Sequence, residues 1–99
     1  MYQILKKQTL NANTKLMVID APHVARKAEP GQFIILRVSE EGERIPLTIA
    51  DFDREKGSIT IIFQEVGATT KALGELNEGD EVTVEIEGIG KITNYVTKE

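Results

Sequence analysis

Glu43-Arg44-Ile45-Pro46-Leu47-Thr48-Ile49-Ala50-Asp51 reads as a β-strand that carries an arginine, a proline and a hydroxyl, which a plain core strand would not choose. A proline removes a ladder donor, so it belongs at an edge or a bulge, where neighbouring backbone groups are left open to a ligand. In an extended chain side chains alternate, so Arg44 and Thr48, four residues apart, share one face. Thr48 adds a small donor and acceptor on a stiff backbone. Taken alone, the stretch reads equally well as an edge strand with a solvated arginine.

Other short strands flank it on both sides. Upstream, Tyr2 to Lys7 alternates weakly, Asn11-Ala12-Asn13 forms a turn, and Lys15 to Asp20 completes a first hairpin. Ala21 to Glu29 has the small and charged residues of a connection. Pro30-Gly31 is a turn whose glycine can take positive φ before a third strand, Gln32 to Val38. Downstream, Asp53 to Gly57 is a turn into a fifth strand, Ser58 to Glu65. The apolar end of that strand suggests burial on both sides or contact with something apolar. A sixth strand, Glu81 to Glu87, alternates Val82, Val84 and Ile86 with acidic or hydroxyl residues and is half exposed. Gly88-Ile89-Gly90 breaks it.

A second stretch bears on function. Val66 to Leu76 reads as a glycine turn followed by a threonine cap and a short helix at about Thr69 to Leu76, the one convincing helix in the chain. Gly67-Ala68-Thr69-Thr70 combines free backbone N–H groups with two hydroxyls, which suits a phosphate, although such threonines also serve as simple helix caps. Six short strands with turns between them and one helix before the last strand predict an all-β fold. The form expected is a six-stranded antiparallel Greek-key barrel, because closure removes exposed edges.

Composition narrows the function classes. Ninety-nine residues fit one domain with one modest core. Twelve basic against 16 acidic residues give a net charge of −4, so the attraction that supplies most non-specific nucleic-acid affinity is lacking. No apolar run is long enough to span a bilayer, so no membrane partner is expected. There is no cysteine, hence no disulfide, iron–sulfur or thiolate zinc site within these residues. The N-terminus has no apolar signal-peptide core, which predicts a cytoplasmic location. His23, the single histidine, reads as a surface loop residue without metal partners. Asp51 and Asp53 read as backbone-serving turn residues, and Glu40, Glu41 and Glu43 as a solvated loop.

Three segments in this order resemble the FAD-binding barrel of the ferredoxin–NADP reductase superfamily, over about residues 1–90: Pro30-Gly31-Gln32-Phe33, Arg44-Ile45-Pro46-Leu47-Thr48, and Gly67 to Thr70 followed by Leu73, Leu76, Gly79 and Asp80. Within it the resemblance is closest to the electron-transfer small subunits of NADH-dependent ferredoxin–NADP oxidoreductase and dihydroorotate dehydrogenase. It implies FAD as cofactor, with the Thr48 hydroxyl near the reactive flavin nitrogen, the strand-four arginine, here Arg44, near the pyrophosphate, and Pro46 and Leu47 on the same strand against the cofactor. Here Ile45 holds the position the family gives to arginine, and Arg44 precedes it. The resemblance further implies that Phe63, Gln64 and Val66 line the ribityl and adenosine side, and that Gly67, Thr69 and Thr70 cradle the pyrophosphate. No catalytic or metal-binding residue is implied.

Family members continue into a nucleotide-binding domain that receives NAD(P)H, and the small subunits add a cysteine cluster. Neither is present before Glu99. The expectation is a barrel over residues 1–90 with a polar tail over 91–99. It would lack the means to bring a nicotinamide to its flavin and would depend on an NAD(P)H-binding domain or an electron-transfer partner subunit. The competing reading is a cofactor-free barrel that serves as an interaction or assembly module, since small barrels host many functions. A third, an RNA-binding barrel, needs a basic and aromatic face that the sequence lacks. Uptake of FAD separates the first two.

Overall fold

The computed structural model describes residues 2–29, 31–39 and 41–86. The sequence features at Glu87 to Gly90 and the tail at 91–99 lie outside them, as do Pro30 and Glu40. The strands are β1 (Tyr2–Asn11), β2 (Thr14–Asp20), β3 (Phe33–Arg37), β4 (Ile45–Asp53), β5 (Ser58–Gln64) and β6 (Glu81–Ile86), with helices α1 (Pro22–Lys27) and α2 (Ala68–Gly74). All pairings are antiparallel, and the strands close in the order β1-β2-β5-β4-β3-β6. The barrel expected from the sequence is therefore the fold, with α2 before the last strand.

Period-two patterning places the core. On β5, Ile59, Ile61 and Phe63 turn inward while Ile62 turns out and stays exposed. The apolar end of this strand thus has one buried face and one open one. On β6, Val82 and Val84 face in between exposed Glu81 and Glu85. Ile4, Met17, Ile19, Ile34, Leu36 and Leu73 complete a single cluster at 0–1% exposure. Gly31 has φ +79°, as the turn before β3 requires.

Two features depart from the sequence reading. Segment 21–29, taken as a connection, contains α1, so His23 is an exposed residue on a helix and not on a loop. Pro22 opens the helix where a missing N–H costs nothing, and basic Arg26 and Lys27 sit in its last turn. Val24, Ala25 and Ala28 bury against the core. The β4–β5 turn holds both ends of the helix. The Ala21 amide donates to the Gly57 carbonyl at 2.8 Å, and the Arg54 guanidinium donates to the Ala28 carbonyl at 2.6 Å. Gly57 has φ +72°, and a Cβ there would come within 3.0 Å of Pro22, so glycine is needed for both conformation and approach. The second departure is β1, which runs on to Asn11 because the ladder to β2 continues through the polar residues Gln8 and Thr9.

Strand β4 changes partners midway, and this feature positions the site. Ile45 to Thr48 pair with β3, whereas Ile49 to Asp53 pair with β5, with a register shift between Ile49 and Asp51. Residues 62–64 of β5 pair with β2. Among the described residues, no ladder joins 45–48 to 62–64, and the barrel wall is split there.

Candidate functional site

The split leaves one edge of β4 open. The Ile49 amide donates to the Gln32 carbonyl on the β3 side at 2.8 Å. Amides alternate sides along a strand, so those of residues 46 and 48 are directed the other way, into the split. Pro46, which has no amide, occupies one of these positions without costing a ladder bond. The Thr48 N–H occupies the other. The proline read from sequence as marking unpaired backbone does so here.

At one end of the split lies a groove of about 390 Å³ lined by Glu43, Arg44, Ile45 and Pro46 on one side and by Val66 to Thr70 on the other. The two stretches singled out in the sequence, about 20 residues apart, thus form opposite banks of one groove. Four hydrogen bonds shape the second bank. The Thr70 hydroxyl accepts from the amides of Val66 and Gly67, both at 3.0 Å, and donates to the Gly67 carbonyl at 3.1 Å. The Lys71 amide closes the first helical turn on the Gly67 carbonyl at 2.9 Å. Thr70 therefore folds the turn from within α2, while Gly67 holds the N-cap position.

The far end of α2 is pinned as well. Glu65 accepts from Lys15 at 2.9 Å in a largely buried ion pair and lies over Gly74, where an added Cβ would fall 1.7 Å from its carboxylate.

Gly67 has φ −143° and ψ 176°, an extended conformation open to any residue, so backbone conformation is not its reason for being glycine. A Cβ built there meets nothing within 4 Å. Among the described residues, no other part of the chain fills the space beside Gly67, which opens on the groove.

The remaining candidates divide by strand parity. Thr48 faces outward and is exposed, beside Phe33 on β3. Pro46 faces outward into the groove, and Gln64 is exposed at the end of β5. Val66 is 76% exposed, unusually open for an apolar residue, and Ile62 is 43% exposed. Leu47 and Phe63 turn inward and pack in or against the core, so they support the two banks from behind. Arg44 precedes β4 instead of lying within it, and its guanidinium sits 3.6 Å from Glu85, which also pairs with Arg37 at 3.3 Å.

Glu43 was missed. Read as part of a solvated loop, it instead lines the groove and accepts a hydrogen bond from the Thr69 hydroxyl. That contact joins residues 26 positions apart, and no local pattern announces it.

A closed six-stranded barrel with a split wall, and a glycine-threonine turn across the split from an arginine-proline-threonine strand, define a ferredoxin–NADP reductase-like flavin barrel. The chain belongs to the oxidoreductase FAD-binding domain family, whose model matches residues 1–94. It is 50% identical over 99 residues to a Clostridium beijerinckii protein described as an uncharacterized protein in the adh 3′ region, covering 100% of this chain and 33% of that one. It is 38% identical over 96 residues to a dihydroorotate dehydrogenase B (NAD(+)) electron transfer subunit homolog of Thermotoga maritima, covering 94% of this chain and 34% of the relative. Among solved structures, an NADH-dependent reduced ferredoxin–NADP oxidoreductase superposes with a TM-score of 0.82 at 39% identity, covering 85% of this chain and 31% of that chain. The chain therefore spans about a third of the length of these relatives and is a FAD-binding oxidoreductase domain. No helix among the described residues is long and apolar enough to cross a membrane.

Proposed function

We propose that FAD lies along the split wall, its pyrophosphate in the groove between Arg44 and Gly67-Thr69 and its ring system against Thr48. The observation that carries this reading is the open space beside Gly67. The backbone there can be approached closely, an approach any side chain would obstruct. The Thr69 hydroxyl on the same bank and the Arg44 guanidinium on the opposite one are donors of the kind phosphate oxygens accept from, once turned from Glu43 and Glu85. The Thr48 amide and hydroxyl, on the unpaired edge of β4, suit the hydrogen-bonding edge of a flavin. Exposed Ile62 and Val66 offer apolar surface that excludes water from a planar ring. Leu47 and Phe63 hold the two strands in place from the core side.

When bound, FAD supplies a ring that accepts a hydride and releases electrons singly. The chain itself would bind, orient and shield that ring. Reduction by NAD(P)H calls for a nucleotide-binding domain, and onward transfer for a partner subunit. Both fit the electron-transfer subunit names of relatives three times as long, and a location in the cytoplasm fits such partners. Titrating FAD into the purified 99-residue chain tests the reading. Saturable, one-to-one quenching of flavin fluorescence is the expected result. A colourless chain that leaves the fluorescence of added FAD unchanged refutes it and favours a cofactor-free module.

A further inference from the structure

Strand parity sets a base and an acid on the inner side of the barrel at one end. Lys15 keeps step with buried Met17 and Ile19 on β2, and Glu65, just past β5, keeps step with Ile59, Ile61 and Phe63. A charge in such a position is costly unless paired, and these two pair with each other, Nζ to Oε1 at 2.9 Å, with side chains 14% and 15% exposed. The other carboxylate oxygen of Glu65 lies over Gly74 and leaves no room there for a Cβ. Gly74 is a buried residue of α2 without positive φ, and glycine is among the poorest helix formers. What glycine accommodates at this position is the carboxylate above it.

None of these three residues lines the groove, but Val66 and Gly67 of its second bank follow Glu65 directly. The Glu65 backbone is fixed as well, its amide donating to the Asn13 carbonyl at 2.7 Å. The turn is thus hung between Glu65 on one side and the Thr70 hydroxyl on the other. We propose that Glu65 is a positioning residue for flavin binding: held by Lys15 and admitted by Gly74, it keeps the Val66–Gly67 turn where the flavin phosphates meet it. The proposal rests on the groove being the flavin-phosphate site. A turn released from this strap spends only part of its time in the arrangement that binds, and affinity falls by that fraction. With the Thr70 hydroxyl still in place, loss of one charge-assisted hydrogen bond corresponds to about tenfold.

The experiment titrates FAD into the full chain, Glu65→Ala, Gly74→Ala, the double variant and Glu65→Gln, each well below its melting temperature. Glu65→Ala removes the carboxylate and Gly74→Ala expels it from its seat, so each should weaken FAD binding about tenfold in folded protein. Alanine suits a helix, so Gly74→Ala tests the strap even where loss of Glu65, which leaves Lys15 without this partner, unfolds the chain. Because both substitutions act on one contact, the double variant should bind within about twofold of either single one, and not about a hundredfold below the native chain. Glu65→Gln keeps the side-chain length and an oxygen that can accept from Lys15, and should bind within about threefold of native. In the FAD-free chain both single variants should shift the amide resonances of Val66 and Gly67, the mark of a displaced turn. Native FAD affinity in the folded fraction of either single variant, losses that multiply in the double variant, or a Glu65→Gln no better than Glu65→Ala would overturn the positioning role while leaving the FAD site standing. Failure of the native chain to bind FAD overturns both.

Discussion

Gly67→Val is expected to lower FAD affinity by about a hundredfold or more, close to 2.7 kcal/mol, with a melting temperature lowered by only about 2–8 °C, the cost of a poorer N-cap on α2. The two halves of this expectation have separate causes. The backbone at Gly67 is extended, a conformation that β-branched residues favour, and its Cβ position is clear of other atoms to 4 Å. The folded chain therefore accepts valine without strain or clash, at the modest cost of a weaker helix cap. A ligand does not, since the valine methyls would fill the space through which a phosphate approaches the turn. Calorimetry and FAD titration on the same sample separate the outcomes. A variant that melts early but binds normally in its folded fraction would make the glycine structural. One that folds and binds normally would move the phosphate elsewhere.

Ile61→Ala is expected to have the largest effect on stability, about 3 kcal/mol, which for a domain of this size is a fall of roughly 12–24 °C in melting temperature. Ile61 sits at the centre of a row that crosses three strands, paired with Met17 on β2 and with Ile49 on β4. Their exposures are 0% for Ile61 and Met17 and 3% for Ile49. A closed barrel cannot collapse easily onto the vacated volume, so the cavity remains. The neighbouring residue is the control: Ile62 is equally apolar but 43% exposed, and Ile62→Ala should change stability by no more than about 0.5 kcal/mol. Thermal unfolding of the pair checks both values, and similar losses at the two positions would contradict the strand parity on which the fold rests.

That parity was legible in the sequence wherever strands alternate strictly, as on β6 with Val82 and Val84, and wherever turn residues have one physical use, as at Gly31. Applied to β5 it also separates Phe63, in step with Ile59 and Ile61, from outward Ile62 and Gln64. Helix α1 was not legible, because six residues carry too little periodicity and its buried face is only Val24 and Ala25, with Ala28 just past its end, so Val24 is the single apolar anchor of any size. The length of β1 was hidden for a different reason. Gln8 and Thr9 are held by the ladder to β2, a partner that local composition does not show.

The site followed the same division. Pro46 announced an unpaired edge because it lacks an amide, and Gly67 announced a turn that leaves its backbone open on one side. Glu43 announced nothing. Its role depends on Thr69, brought beside it by the closure of the barrel, and the same closure sets Glu85 of β6 next to Arg44 at the start of β4. Contacts made across a barrel belong to topology, which short-range patterns do not encode.

Backbone amide resonances recorded during an FAD titration test the placement of the cofactor most directly. Shifts should concentrate at Thr48, Ile62 and Val66 to Thr70, on the two banks of the split. Amides on the α1 side of the barrel, such as those of Tyr2, His23 and Lys27, should stay in place. Shifts centred on that second group with the Gly67 turn unmoved would contradict it.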